Sequence, residues 1–245
     1  MELSKCGHDE RLPLYQQVRD EIFKNIQCGV WLPDVAIPTE AELTKHYGVA
    51  IGTIRKAVDT LVADGVLYRS QGRGTFVRRP DFSSSLFRFF RQVSSDGKVS
   101  IPTGNILSRT LVLPPEHIAK SLKIKPNEIT IRLERNRVLD NSVVLTEEIW
   151  LPESLFASLS DIELTSFGNL LYPFYEKQCG LLVASATETL SIESAMPETA
   201  SVLGIDEGRP VAVIERVAYS YDKTPLEYRI SRGPAETFRY QVNIS

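Results

Sequence analysis

The segment of residues 39–77 constrains the fold more strongly than any other part of this chain. Thr39 and Glu42 predict a capping box at the start of a short helix, because the threonine hydroxyl accepts a backbone N–H three residues on while the glutamate reaches back. Gly48 is the expected end of that helix, and Gly65 of the next one. The second helix has an apolar stripe at i, i+3, i+4 and i+7: Ile54, Ala57, Val58 and Leu61. Two helices across a tight turn predict a helix-turn-helix.

A β-hairpin is predicted directly after these helices. Residues 66–68 and 75–77 form its two short strands, and residues 70–74 form the turn. Two glycines in the turn permit positive φ and a close approach of backbone to phosphate. Residues 65–80 contain four arginines and no acid. The hairpin is therefore a basic wing whose natural partner is a phosphate backbone.

Two cations, Arg55 and Lys56, lie early in the second helix and opposite its apolar stripe. The first turn of a recognition helix enters the major groove, where such side chains meet base edges or phosphates. A basic helix alone is equally typical of a solvated surface, so only the combination of this helix with the basic wing indicates DNA binding. A preceding helix over residues 14–27 has its own apolar stripe and completes a three-helix unit.

Short motifs recur along this region: Pro13-Leu14-Tyr15, Ile37-Pro38-Thr39-Glu40, Gly48-Val49, Thr53-Ile54-Arg55, Leu67-Tyr68-Arg69 and Gly72-Arg73-Gly74-Thr75-Phe76-Val77. In combination they resemble the GntR family of bacterial transcription regulators. The resemblance implies that DNA is contacted by Thr39, Thr53, Arg55, Lys56, Arg69, Gly72, Arg73 and Gly74.

The chain departs from the family pattern at two places. Ala41 stands where the family has an arginine, and Ala50-Ile51 replaces a Ser-Arg pair. The missing N-cap hydroxyl at residue 50 costs about 1 kcal/mol of helix stability. Because bidentate arginine–guanine contacts read base sequence, we expect an operator different from the usual one.

Composition excludes several other classes of protein. No run of 18 apolar residues occurs and the first ten residues lack an apolar signal-peptide core, so we expect a cytoplasmic protein without a membrane span. The three cysteines and three histidines are scattered, which predicts free thiols, no disulfide and no metal site. No motif for a cofactor is present. Residues 1–80 contain 11 Lys/Arg against 10 Asp/Glu, and residues 81–245 contain 17 against 21, so the positive charge is local to the first part.

The rest of the chain contains an internal repeat. Leu122 and Leu203, and likewise Arg135 and Arg216, are 81 residues apart in matching contexts. Each copy is predicted to be a short helix, a strand, a turn and a returning strand, which indicates an antiparallel sheet with helices on one face. A proline and serine segment at residues 79–85 is the expected linker. The predicted domains are therefore residues 1–78 and 86–245.

This second part resembles the UTRA effector domain of the HutC subgroup, whose fold is similar to that of chorismate lyase. The expected fold class is α+β: an N-terminal winged helix-turn-helix followed by a chorismate-lyase-like antiparallel sheet domain built by internal duplication. The resemblance implies that the seam between the two copies holds a small ligand.

Arg135 and Arg137 are the strongest site candidates in this domain. With a period of two residues, they share a strand face with an apolar row, so both guanidinium groups point inward. Glu147 on the returning strand can lie opposite Arg135, but one carboxylate does not neutralise two arginines. Two interpretations remain open: an internal ion-pair network that includes Glu227, or a bound anion.

The resemblance favours the anion, because it implies that Arg135, Arg137, Glu147 and Glu227 line the effector site. Tyr228, the residue after Glu227, is expected to be an aromatic neighbour in the same effector site. Leu170 stands where relatives that sense sugar phosphates have a serine. A small organic carboxylate therefore suits the site better than a phosphosugar.

We therefore expect a transcription regulator, and specifically a repressor. It would bind double-stranded operator DNA as a homodimer and release it in response to a small organic anion. The alternative is a winged helix that binds RNA or a protein partner, with a ligand-free structural C-terminal domain. An enzyme is not expected, because the second domain has no nucleophile–base arrangement and its one histidine is His117.

Overall fold

The computed structural model describes residues 12–78 and 102–238. The chain divides into two compact units, Met1–Pro80 and Asp81–Ser245. The predicted linker at residues 79–85 lies outside the described residues. None of the described helices is long and apolar enough to cross a membrane.

The first unit is a three-helix arrangement with a hairpin. Its elements are α1 (Leu14–Gln27), α2 (Glu40–Tyr47), α3 (Ile51–Ala63), β1 (Leu67–Ser70) and β2 (Gly74–Val77). The apolar stripes of α1 and α3 are buried and the two helices pack against each other. The predicted three-helix unit with a wing is confirmed.

The local signals read from the sequence act as expected in this unit. The Thr39 hydroxyl accepts from the Glu42 backbone N–H at 3.3 Å, and the Glu42 carboxylate accepts from the Thr39 N–H at 2.8 Å. Gly48 has a φ of 67° and ends α2. At the start of α3, Ala50 provides no side-chain cap. The wing pairs Leu67 with Val77, and Gly74, the first residue of β2, has a φ of 122°.

The second unit is a six-stranded antiparallel sheet with helices. Its main elements are β3 (Thr103–Val112), α4 (Glu116–Leu122), β4 (Thr130–Leu139), β5 (Ser142–Pro152), α5 (Glu153–Phe156), α6 (Leu171–Cys179), β6 (Ser185–Ser194), α7 (Pro197–Leu203), β7 (Pro210–Tyr219) and β8 (Pro225–Pro234). Two single 3₁₀ turns, Ala157–Leu159 and Leu164–Ser166, lie between α5 and α6. The strand order is β3-β4-β5-β8-β7-β6.

Each half of this unit contributes three adjacent strands and one helix. From each edge of the sheet toward its centre, the strands of one half follow in chain order: β3, β4 and β5 from one edge, and β6, β7 and β8 from the other. The predicted duplication is thus visible in the topology, and its seam is the β5–β8 pair. The outer strands β3 and β6 were not predicted. β6 is an edge strand with mostly exposed side chains, so it lacks the apolar alternation that marks a strand in sequence.

Both faces of the sheet are covered. The repeated helices α4 and α7 pack on one face against a cluster that includes Trp150, Val211 and Ile230. On the other face, α5 and α6 pack against Ile131 and Ile149. The expectation of helices on one face holds for the repeated helices and is wrong for the sheet as a whole. The segment between the two copies supplies the second layer.

Candidate functional site

The exposed face of α3 and the base of the wing are joined by a chain of ion pairs. Glu40, the first residue of α2, accepts from Arg55 Nε at 3.1 Å through Oε2 and from Arg69 Nη2 at 3.0 Å through Oε1. Arg69 Nη1 also lies 2.6 Å from Asp59 Oδ1. The structure therefore brings Arg55 and Arg69 together on one carboxylate, which the sequence reasoning missed. Glu40 is 15 and 29 residues away from them along the chain.

The remaining predicted DNA contacts have separate environments. Lys56 Nζ lies 3.9 Å from the centre of the Tyr15 ring, a cation–π contact with α1. Arg73 lies over the Phe76 ring in the wing. Thr53 is in the first turn of α3, whereas the Thr39 hydroxyl is used in its capping box. Gly72 and Gly74 shape the wing turn with positive φ.

A buried cluster of charged side chains lies on the face of the sheet covered by α6. Arg135 and Arg137 project from β4, and Arg135 pairs in register with Glu147 on β5, as one of the predicted alignments required. Arg135 Nη1 lies 3.4 Å from Glu147 Oε2. Both arginines are 1% exposed and Glu147 is 2% exposed. Such burial of charge is costly unless each group is paired.

Strand β8 adds two further charges across the seam. Arg229 Nη2 donates to Glu227 Oε2 at 2.7 Å, and Arg229 Nη1 lies 3.4 Å from Glu147 Oε1. Glu227 also accepts from the hydroxyls of Tyr172 and Tyr175 on α6, at 3.1 and 2.8 Å. Arg229 was missed from sequence, although it is two residues from Glu227 and must share its strand face.

The loop before α6 contacts both arginines of β4. The backbone carbonyl of Asn169 accepts from Arg135 Nη2 at 2.5 Å and from Arg137 Nη1 at 2.9 Å. Its side-chain Oδ1 lies 3.2 Å from Arg137 Nη1. On β3, a Cβ at Gly104 would overlap the Arg135 guanidinium group, so only glycine lets this arginine lie against the strand. The guanidinium groups of Arg135 and Arg137 thus share one neutral acceptor, the carbonyl oxygen of Asn169.

The cluster carries more positive than negative charge. Arg135, Arg137 and Arg229 face Glu147 and Glu227, whereas Arg216 is paired with Glu188. Several guanidinium nitrogens have no hydrogen-bond partner among the described residues: Nε of Arg135, Nε and Nη2 of Arg137, and Nε of Arg229. Buried donors are nearly always satisfied in proteins, so this region has capacity for a further acceptor.

The pKa shifts follow from the same imbalance. Burial alone raises the pKa of Glu147, but the charges of Arg229, Arg135 and Arg137 outweigh it and lower that pKa to about 2. Burial and the neighbouring charge of Arg135 lower the pKa of Arg137 to about 10. Burial and the Glu227 carboxylate raise the pKa of Tyr175 well above its ordinary value. Around pH 7 the Glu147 carboxylate is therefore charged and Tyr175 is a neutral donor.

Tyr228 does not join this cluster, in contrast to the expectation from sequence. It lies on the opposite face of the sheet, packed with α4 and α7, and its hydroxyl donates to Glu215 at 2.6 Å. The physical reason is the two-residue period of a strand, which directs adjacent residues 227 and 228 to opposite faces. Its predicted place in the site was wrong. Within the described ranges, no group of three or more His, Cys, Asp or Glu side chains could hold a metal ion.

Comparisons with known proteins agree with the two-part architecture. Residues 14–77 match the family model described as bacterial regulatory proteins of the gntR family, and residues 99–239 match the UTRA domain. The "HTH-type transcriptional repressor NagR" of Bacillus subtilis is 28% identical over 237 residues, which cover 95% of this chain and 96% of that protein. The "Probable fructoselysine utilization operon transcriptional repressor" of Escherichia coli K12 is 30% identical over 218 residues, 87% of each chain.

Solved structures show the same fold. The ligand-binding domain of a GntR-family transcriptional regulator from Bordetella bronchiseptica superposes with a TM-score of 0.58 at 26% identity, covering 64% of this chain and 98% of that one. PhnF from Mycobacterium smegmatis superposes with a TM-score of 0.56 at 22% identity, covering 93% of this chain and 99% of that one.

Proposed function

Since this chain belongs to the GntR family and has a C-terminal UTRA domain, it is a DNA-binding transcription regulator, and we propose that a small organic anion controls its affinity for operator DNA. The anion binds at Arg135 and Arg137. The observation that carries this proposal is the convergence of two buried guanidinium groups on the single carbonyl oxygen of Asn169. Both arginines also keep N–H donors that have no partner in the described part of the chain.

A carboxylate is the anion that fits these donors best. It presents two oxygens to a guanidinium fork, and such charge-assisted pairs are shorter and stronger than bonds to a neutral carbonyl. The surrounding residues on α6, including Leu171, Tyr172 and Phe174, are apolar or aromatic. They suit the hydrocarbon part of a small organic acid.

Binding would replace the Asn169 carbonyl as acceptor. The loop that holds this carbonyl leads directly into α6, whose Tyr172 and Tyr175 donate to Glu227. Displacement of the loop therefore changes a packed element of the domain, and the change reaches the DNA-binding unit through the linker at residues 79–85. The ligand shifts DNA affinity only by its differential affinity for the two arrangements.

For the DNA-binding unit we propose that Arg55 reads bases and that Arg73, with the wing backbone at Gly72 and Gly74, holds phosphate. One unit has a single recognition helix, so a specific site requires a homodimer with half-sites about 34 Å apart or a multiple of this distance. The repressor names of the relatives support repression as the sign of control. A regulator of this kind works in the cytoplasm, where bacterial DNA lies.

Direct binding of carboxylates tests the anion site. We expect calorimetry with succinate, citrate and benzoate to show binding by at least one of them, and the matching neutral amides to bind at least tenfold more weakly. Arg137→Gln, and Arg135→Ala combined with Arg137→Ala, should abolish binding. Arg132→Gln is the matched control, because Arg132 lies on the same strand and its partners Glu134 and Glu148 are on the other face. Equal binding of the amides, or binding that survives the double substitution, would contradict the assignment.

A further inference from the structure

The ion pairs around Glu40 divide its carboxylate between the recognition helix and the wing. Oε2 accepts from Nε of Arg55 and lies 3.1 Å from its Nη2, while Oε1 accepts from Arg69. Arg69 has both terminal nitrogens engaged, one by Glu40 and the other by Asp59. One carboxylate thus connects α2, α3 and β1.

Stability does not explain this arrangement. The side chains of Arg55 and Arg69 are 59% and 44% exposed, and exposed ion pairs contribute little to folding. Attraction to DNA does not explain it either, because a carboxylate beside two cations lowers the local positive potential and weakens binding to every duplex.

The geometry at Arg55 suggests a different role. Its Nε and Nη2 edge is held by the carboxylate, and no described residue is seen to bind the Nη1 and Nη2 edge, which can accept an outside partner. A guanidinium has five N–H donors in one plane, so the two edges can be used at once. This free edge presents two parallel N–H donors, which can make the bidentate contact to O6 and N7 of guanine.

We propose that Glu40 is a positioning residue for DNA recognition. Its carboxylate fixes the plane of the Arg55 guanidinium group so that the free edge faces a guanine. The same carboxylate also binds Arg69 and so connects the wing to Arg55. Arg55 is the one arginine of α2 and α3, so arginine-mediated base reading by these helices depends on its orientation. Arg69 connects Glu40 and Asp59 through its two terminal nitrogens.

The test compares selective and unselective binding. The full-length protein would first select its preferred duplex from a random-sequence library, and affinity would be measured for that duplex and for a scrambled duplex of equal length. We expect Glu40→Ala to bind the scrambled duplex more tightly, since a negative charge is lost, and the selected duplex more weakly. The preference for the selected duplex should fall about tenfold. Glu40→Gln keeps one acceptor oxygen for Arg55 and should lose less.

Two controls separate orientation from charge. Asp64→Asn removes one negative charge at the exposed C-terminal end of α3, and should change both affinities by the same small factor. In an Arg55→Ala background, Glu40→Ala should no longer alter the preference, because the carboxylate acts through that arginine. The proposal is overturned if Glu40→Ala and Glu40→Gln, with unfolding temperatures near wild type, change both duplexes equally, or if their effect persists without Arg55.

Discussion

Arginine–glutamate pairs occur in both units of this protein, but their surroundings are opposite. The Glu40 pairs lie at a surface where water solvates each partner, whereas Glu147 lies among Arg135, Arg137 and Arg229 with almost no exposure. At the surface, each pair contributes little to the free energy of unfolding, because its partners are exposed to solvent. In the interior, each charge depends on the others, because removal of one leaves the rest uncompensated. The exposed Glu40 pairs suit the presentation of arginines to DNA. The buried cluster around Glu147 suits the binding of an anion, because it has fewer negative than positive charges.

The largest expected difference between the two networks concerns stability. Glu147→Ala leaves buried arginines uncompensated and should lower the free energy of unfolding of the sheet unit by about 3–5 kcal/mol. The chain contains two tryptophans, Trp31 in the first unit and Trp150 in the second. A Trp31→Phe background therefore makes fluorescence in a urea titration report on the sheet unit alone. A loss below about 1 kcal/mol would show that water already reaches this cluster.

A second difference concerns pH. The ionised Glu147 has a folded-state pKa of about 2, below its ordinary value of 4.5. A lowered folded-state pKa means that the group contributes its full stability above about pH 4.5, and that this contribution is lost as pH falls toward 2. Urea titrations of the wild type and of Glu147→Gln should therefore converge in stability between these pH values. A constant gap down to pH 2 would exclude Glu147 as the titrating group.

The smallest expected effect is on the surface. Glu40→Ala should change the free energy of unfolding by less than about 1 kcal/mol, because its partners are exposed. Trp31 fluorescence in a Trp150→Phe background measures this unit. A loss of several kcal/mol would mean that the Glu40 pairs hold the fold and would remove the contrast between the networks.

The sequence predicted elements whose signals are local. The bounds of α1, the Thr39 capping box and the Arg135–Glu147 alignment each depend on residues close in sequence or on strand period. The Glu40 pairs could not be read in this way, because they join segments that only tertiary packing brings together. The position of Tyr228 was a different kind of error, since strand alternation already separates it from Glu227.

The outer strands and the loop before α6 show a further limit on what can be predicted from sequence. β6 has mostly exposed side chains and contributes through backbone pairing to β7, which leaves no apolar pattern in its sequence. The Asn169 carbonyl is a backbone group, so no residue type marks it as an acceptor for two arginines. Its role depends on where the loop before α6 lies.

The most direct test of the account is the linkage between the two ligands. Calorimetry would titrate the tightest-binding carboxylate of the series above into the full-length protein, with and without the selected duplex. We expect the duplex to weaken carboxylate binding by the same factor, about 5- to 150-fold, by which the carboxylate weakens duplex binding, since the coupling free energy is shared. Arg135→Ala combined with Arg137→Ala should remove the response while leaving DNA affinity without ligand nearly unchanged. A carboxylate affinity that is the same with and without DNA would contradict the account.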